Sequence, residues 1–208
     1  MVRIFTILIC VFFSESLISQ VSTSMTLKKE SSLVINGSTN ISKFKLTLDG
    51  KDFPGPQFNF NTFIDRDKIT ISKNRLSLEV KKFHSGNIIA LNGFLDLIKS
   101  DKYPTMDIEL HEINIYNLSS EIAESTSINQ LYYKGVASVK ITLTGKTRNY
   151  DIPFKTFKRG DELSGIGTIR INIRDFELIP PVAMLGLVKI SEWIDISINF
   201  ATTIVSDQ

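Results

Sequence analysis

Read as a pattern of apolar and polar positions, the chain is dominated by period two. Ile169, Ile171 and Ile173 alternate with polar residues, and so do Ile194, Ile196, Ile198 and Phe200. Successive side chains of a strand point to opposite faces, so each run predicts a strand with one apolar face. Between them lies a connector, residues 176–188, that does not alternate and carries Pro180-Pro181. Such a pair neither donates to a ladder nor continues a strand. The same period marks residues 31–37 through Leu33 and Ile35, then Phe44, Leu46 and Leu48, then Phe58 and Phe60, Ile69 and Ile71, and finally Leu76, Leu78 and Val80. Turn signals separate the early runs, at Gly37-Ser38-Thr39-Asn40, at Asp49-Gly50 and at Pro54-Gly55-Pro56.

The period changes after Ser85-Gly86-Asn87. Ile88, Leu91, Leu95 and Ile98 recur at helical spacing, with Phe94 and Leu97 widening the stripe, which predicts a helix over residues 88–100, stopped by Pro104. Its apolar face is expected to cover one end of the sheet. Residues 105–116 return to period two with a slip, because Met106, Ile108 and Leu110 are even while Ile113 and Ile115 are odd. A one-residue slip would turn the second half to the wrong face, so the spacing predicts a β-bulge near His111-Glu112. Residues 119–129 are polar and read as a loop. Tyr133, Ala137, Val139 and Ile141 mark the next strand, and a turn at Thr144-Gly145-Lys146-Thr147 leads to another with Tyr150, Ile152 and Phe154 inward. About eight or nine strands and one inserted helix make a single all-β domain, an antiparallel barrel or sandwich.

Composition narrows the function classes. At 208 residues with 42% hydrophobic content the chain supports one sizeable core. Its 24 basic and 22 acidic residues leave a net charge of +2, too weak a field to argue for a nucleic-acid partner. The N-terminus reads as a signal peptide over residues 1–20: Met1-Val2-Arg3 is a short positive start, residues 4–13 an apolar run, residues 14–20 a small polar exit. The run is shorter than the roughly 20 apolar residues of a membrane span, so no integral span is expected after cleavage before Gln20 or Val21. The remaining domain, residues 21–208, would hold no cysteine, since Cys10 is the only one, and therefore no disulfide and no thiolate. That suits a bacterial envelope better than a eukaryotic route, for which the sequons at Asn36, Asn40 and Asn117 speak. The expected location is periplasmic or secreted.

Candidate chemistry is sparse. His84 and His111 flank the helix without a further histidine at ligand spacing, so neither a metal nor a cofactor is predicted. No serine sits in a nucleophile elbow and no carboxylate pair stands out, which argues against an enzyme. Gly165-Ile166-Gly167-Thr168 looks like a phosphate loop but opens a strand, without the helix terminus such a loop depends on. What remains are apolar inner faces. A small barrel either fills with its own side chains or holds one apolar ligand, and alternation alone does not distinguish the two.

Three segments resemble the YceI-like family. Residues 33–44, LVINGSTNISKF, look like its opening strand pair. Phe83-His84-Ser85-Gly86-Asn87 with Lys102-Tyr103-Pro104-Thr105 resembles its Ser-Gly-Asn and Tyr-Pro-Thr signatures. Arg174-Asp175-Phe176-Glu177-Leu178-Ile179-Pro180-Pro181, followed by Leu185-Gly186 and Val188-Lys189, is similar to its closing motif, with Arg174 for the usual Ser and Glu177 for the usual Gly. The helix carries Ile88, Ile89 and Leu91 where the family commonly has Met after Ser-Gly-Asn. The resemblance implies an eight-stranded antiparallel lipocalin-like barrel with the helix packed against it, exported to the periplasm. It also implies a non-catalytic protein that sequesters or carries a long apolar chain, an isoprenoid or other amphiphilic lipid. On that reading the ligand-binding candidates are Leu78, Val80, Ile108, Leu110, Val139, Ile141, Ile152, Phe154, Ile171, Ile173, Ile196 and Ile198, with Phe94, Met184 and Leu185 at the mouth. The alternative is a ligand-free envelope stress or interaction protein with a side-chain-filled barrel. The oligomeric state is left open, a dimer included.

Overall fold

The computed structural model describes residues 20–55, 57–65, 68–72, 74–116, 130–159, 162–183 and 187–207. The signal segment, the 119–129 loop, the Asn117 sequon and the candidates Met184 and Leu185 lie outside these residues. The chain runs through β1 (Gln20–Leu27), β2 (Ser32–Ser38), β3 (Lys43–Asp49), β4 (Gln57–Asp65), β5 (Lys68–Ser72) and β6 (Leu76–Glu79) to the helix α1 (Ile88–Leu97). It continues with β7 (Thr105–Tyr116), β8 (Gln130–Leu143), β9 (Lys146–Arg159), β10 (Glu162–Asn172), β11 (Val182–Ala183), β12 (Val188–Lys189) and β13 (Trp193–Asp207). Among the described residues no helix is long and apolar enough to cross a membrane.

All pairings are antiparallel, and followed from neighbour to neighbour they return to their start. The order β1-β4-β5-β7-β8-β9-β10-β13 is joined to itself by β13 pairing with β1, an eight-membered ring of the kind a small barrel uses. β13 is long enough to serve two strands: its Asp195–Asn199 half pairs with β2 and its Thr202–Asp207 half with β1. β7 likewise takes β6 along one half and β5 along the other.

At each of these two breaks a polar side chain completes the ladder. Where β1 gives way to β2, Ser31 Oγ donates to the Ala201 carbonyl at 3.2 Å and accepts from the Ala201 amide at 3.1 Å. Where β5 gives way to β6, the Asn74 amide donates to the Leu110 carbonyl at 2.6 Å and accepts from its N–H at 2.7 Å. Buried backbone groups must find partners, and these side chains supply them where the strand does not.

The bulge lies where the phase slip places it: the β7–β8 register shifts between Leu110 and Glu112, so Leu110 faces Val139 and Ile113 faces Ala137 on the same side of the sheet. Thr144 (φ 51°) and Gly145 (φ 78°) form the two-residue β8–β9 turn, both in the left-handed region that a type I′ hairpin requires. Three inward glycines make room for inward rings across the ladder. Gly37 faces Phe44, Gly135 faces Phe154 and Gly165 faces Phe200; a methyl group on these glycines would meet the facing ring at 2.2, 2.8 and 2.4 Å. Phe154 has a glycine on its other flank as well, Gly167. Each of these rings thus lies over bare backbone of the neighbouring strand.

Several expectations differ in detail: the helix predicted over residues 88–100 ends at Leu97, and the run through Ile169 and Ile171 stops at Asn172, with Ile173 opening a 3-10 turn. β1 has no counterpart in the periodicity because QVSTSMTL is rich in Ser and Thr and is held in place by β4 and β13. The run through Leu76, Leu78 and Val80 is a strand only as far as Glu79, and a 3-10 turn, Val80–Lys82, carries the chain toward the helix.

Candidate functional site

The helix that caps the ring is positioned by its own entry. Ser85 Oγ donates to the Lys45 carbonyl of β3 at 2.6 Å and accepts from the Asn87 amide at 3.1 Å. Asn87 is the N-cap, its side chain accepting from the Ala90 amide at 3.0 Å. Just before them His84 exchanges both backbone hydrogen bonds with Thr47 at 2.9 Å, and Phe83 packs edge-on against Phe94 of α1 with ring centroids 5.4 Å apart. The helix ends in a Schellman arrangement, Ser100 N–H to Leu95 O and Lys99 N–H to Asp96 O, with Lys99 at φ 52° where glycine is usual.

The chain after β10 is anchored as firmly. Asn172 caps the 3-10 turn Ile173–Phe176 by accepting from the Arg174 amide at 2.9 Å. Phe176 is buried in the core, beside Tyr150, whose hydroxyl donates to Asp175 at 2.9 Å. Burial and that carboxylate hold the Tyr150 phenol well above its ordinary pKa. Glu177, where the sequence departs from the family's glycine, sits at φ 59° and ion-pairs with Lys146 at 2.9 Å. The departure therefore falls on a left-handed position that glycine occupies at least cost. Arg174 pairs with Glu192, drawing the connector's two ends together.

The connector is then laid over the β2–β3 turn. Thr39 bridges Ile190, and Ser191 N–H donates to the Ser38 carbonyl at 2.8 Å. Asn40 does most: its carboxamide donates to the Leu187 carbonyl and accepts from the Lys189 amide, both at 2.9 Å. β11 and β12, a short hairpin inside the Pro-marked connector, are held in this way across one end of the ring.

Between the connector, α1 and the strand faces, about 290 Å³ is left empty. Ile35, Phe44, Leu46, Met106, Ile141, Leu143, Ile171, Ile194 and Ile196 wall it from the strands. α1 contributes Ile89, Ala90, Gly93, Phe94 and Leu97, and the anchored segment Ile173, Phe176, Leu178, Pro181, Val188 and Ile190. Polar groups enter only at the edge, and they are engaged: Asn87 caps α1, and Thr39 Oγ1 accepts from the Ser42 and Ile41 amides at 2.9 and 3.2 Å. Such a wall binds by removing apolar surface from water. Among the described residues no cluster of three or more potential metal ligands occurs.

Of the candidate liners, Phe94, Ile141, Ile171, Ile173 and Ile196 stand in this wall. Leu78, Val80, Val139 and Ile152 are instead buried in the core, and Ile108, Leu110 and Ile198 pack against it. Phe154 lies over Gly135. These residues face inward as their alternation requires, but they meet other side chains rather than open space. Of the helix's contribution, sequence reasoning named Phe94 and missed the rest, Ile89 and Gly93 above all. A glycine in the middle of a helical run was the available signal, since it costs about 1 kcal/mol there unless space or packing uses it.

A family profile described as the YceI-like domain matches residues 63–202. Among curated proteins nothing matches. Two solved structures share the fold: a polyisoprenoid-binding domain from Saccharophagus degradans implicated in plant cell wall breakdown, and BcnA of Burkholderia cenocepacia. The first is 11% identical with a TM-score of 0.53, covering 86% of this chain and 97% of its own. The second is 14% identical with a TM-score of 0.51, covering 88% of this chain and 96% of its own.

Proposed function

The chain belongs to the YceI-like domain family, and from that premise we propose that it is an exported, non-catalytic binding protein for a long apolar chain. The occupant is an isoprenoid or other amphiphilic lipid. The observation that carries this reading is the apolar cavity of about 290 Å³ under α1. Drug-sized ligand sites run from roughly 300 Å³ upward, so the cavity suits one end of a chain, the remainder leaving through the mouth. Burial of about ten methylenes at roughly 0.8 kcal/mol each supplies about 8 kcal/mol of gross driving force, from which the cost of association is drawn. The 11%-identical neighbour described as a polyisoprenoid-binding domain lends the ligand class. Residues 1–20 are the signal peptide, and the protein works in the periplasm or outside the cell.

A second reading, a side-chain-filled barrel acting as an envelope stress or interaction protein, draws on the other part of the interior, where Phe154 and Phe200 lie over glycines. Native mass spectrometry of gently purified protein separates the two. The carrier reading expects a co-purified lipid mass, together with an N-terminus at Gln20 or Val21. A chain that carries no lipid and takes up no small apolar fluorophore such as 1-aminoanthracene would leave the second reading in place.

A further inference from the structure

The elements that border the cavity carry aliphatic side chains that stand out into solvent. Ile41, Ile88, Ile89, Ile179 and Leu187 are between 62 and 81% exposed. They come from the β2–β3 turn, the start of α1 and the connector, so only the fold brings them to one end. Ile41 and Ile89 belong to the cavity wall as well as the surface. Leu187 is held beside Ile41 by the bond from Asn40 to its carbonyl, and Ile179 lies between Leu178 and Pro181 of the wall. Scattered surface hydrophobics need no explanation, but a contiguous apolar rim marks an interaction site.

Charge says what the rim meets. Lys43 and Lys189 lie two residues beyond Ile41 and Leu187, both exposed, and neither has an ion-pair partner among the described residues. Two carboxylates of the connector are engaged, Glu177 with Lys146 and Glu192 with Arg174, while Asp96 of α1 is exposed toward the far end of the helix from Ile88 and Ile89. Branched aliphatics flanked by unpaired lysines complement a negatively charged lipid surface, where apolar burial at the headgroup boundary and attraction to headgroups add together. A second copy of this chain would bring the same lysines against each other.

We propose that this rim docks on an anionic bilayer, with Ile41, Ile89 and Leu187 at the headgroup boundary and Lys43 and Lys189 against the headgroups. The cavity then opens toward the acyl layer, and a chain passes between bilayer and protein without crossing water. This last step rests on the carrier reading; the docking does not.

Co-sedimentation with vesicles tests it, using protein purified from cells that express the full chain. Vesicles of phosphatidylcholine alone are compared with vesicles that also contain phosphatidylglycerol, and uptake of 1-aminoanthracene is measured in solution. Binding is expected on the anionic vesicles, weakening with salt and falling about fivefold for Lys43→Ala and for Lys189→Ala. The combined variant Ile88→Ser, Ile179→Ser, Leu187→Ser changes only exposed residues outside the cavity wall. It is expected to keep its melting temperature and dye uptake while losing at least about tenfold in vesicle affinity. Equal binding of the combined variant and the parent overturns the proposal, as does self-association through the rim without vesicle binding. Dye uptake without docking overturns the proposal and leaves the carrier reading standing. Docking without dye uptake does the reverse.

Discussion

Asn40 and Lys189 pair as facing residues of a sheet do, except that one side of the exchange is a side chain. Asn40 N–H donates to the Lys189 carbonyl at 3.1 Å, and the Lys189 amide returns a bond to Asn40 Oδ1 at 2.9 Å. One hydrogen of the Asn40 side-chain amide goes to Leu187 O. Through this contact the opening strand pair holds the closing connector over the cavity. Asn40→Ala removes two exposed side-chain bonds, whose backbone partners water can take up, at a cost of roughly 0.5–1.5 kcal/mol. Expected are faster hydrogen exchange at Val188–Lys189 and faster release of a bound apolar dye, with the ring of strands still protected. Unchanged exchange there would show that the contact holds nothing.

Gly93 is the place to close the cavity. A methyl group built on it meets nothing within 4 Å, although it lies in the cavity wall. Gly93→Leu is expected to fill the space, reduce uptake of apolar dye at least tenfold, and raise stability by about 0.5–1 kcal/mol through helix propensity alone. Thermal melts and dye titration read the two effects separately. Weaker dye binding accompanied by a lower melting temperature would point instead to disruption of the fold.

Tyr150 should give the molecule an alkaline limit of its own. Its phenol is held above the ordinary value of 10.0 by burial and by the bond to Asp175, so folding favours the protonated form. The stability it contributes is complete below that value and is lost as pH rises past it. Tyr150→Phe is expected to melt lower at neutral pH, and the gap to the parent should narrow above pH 10. A constant gap across the range would remove the phenol from the account.

Glu177 occupies a left-handed position with φ 59°. Glu177→Gly relieves that strain at the loss of an exposed ion pair, and is expected to raise the melting temperature by about 2–4 °C at neutral pH. Lys146 holds the Glu177 carboxyl below its ordinary 4.5, so the pair's contribution exists above that pH and disappears as pH falls through it. The advantage of the glycine variant should therefore grow in acid. A variant that melts lower at every pH would place the ion pair above the backbone strain.

Much of the fold was legible because alternation is a local property. The runs through Ile169 and Ile196 announced β10 and β13, and the parity slip between Leu110 and Ile113 located the bulge before any partner strand was known. β1 was not legible, since its Ser- and Thr-rich segment becomes a strand through pairing with β4 and β13. The cavity was legible only as a class of side chain. Ile152 and Ile171 read alike, both inward and both buried, yet Ile171 borders empty space and Ile152 does not.

By itself, then, the sequence determined the strand faces, the helix, the bulge and the family, because each depends on the order of residues within a short window. The tertiary structure decided where the interior stays empty and what guards it. Phe154 and Phe200 lie over Gly135 and Gly165, while Asn40 and Tyr150 tie down the connector and Asn87 caps the helix that together cover the cavity. Volume is a property of surfaces brought together from distant parts of the chain, and no periodicity records it.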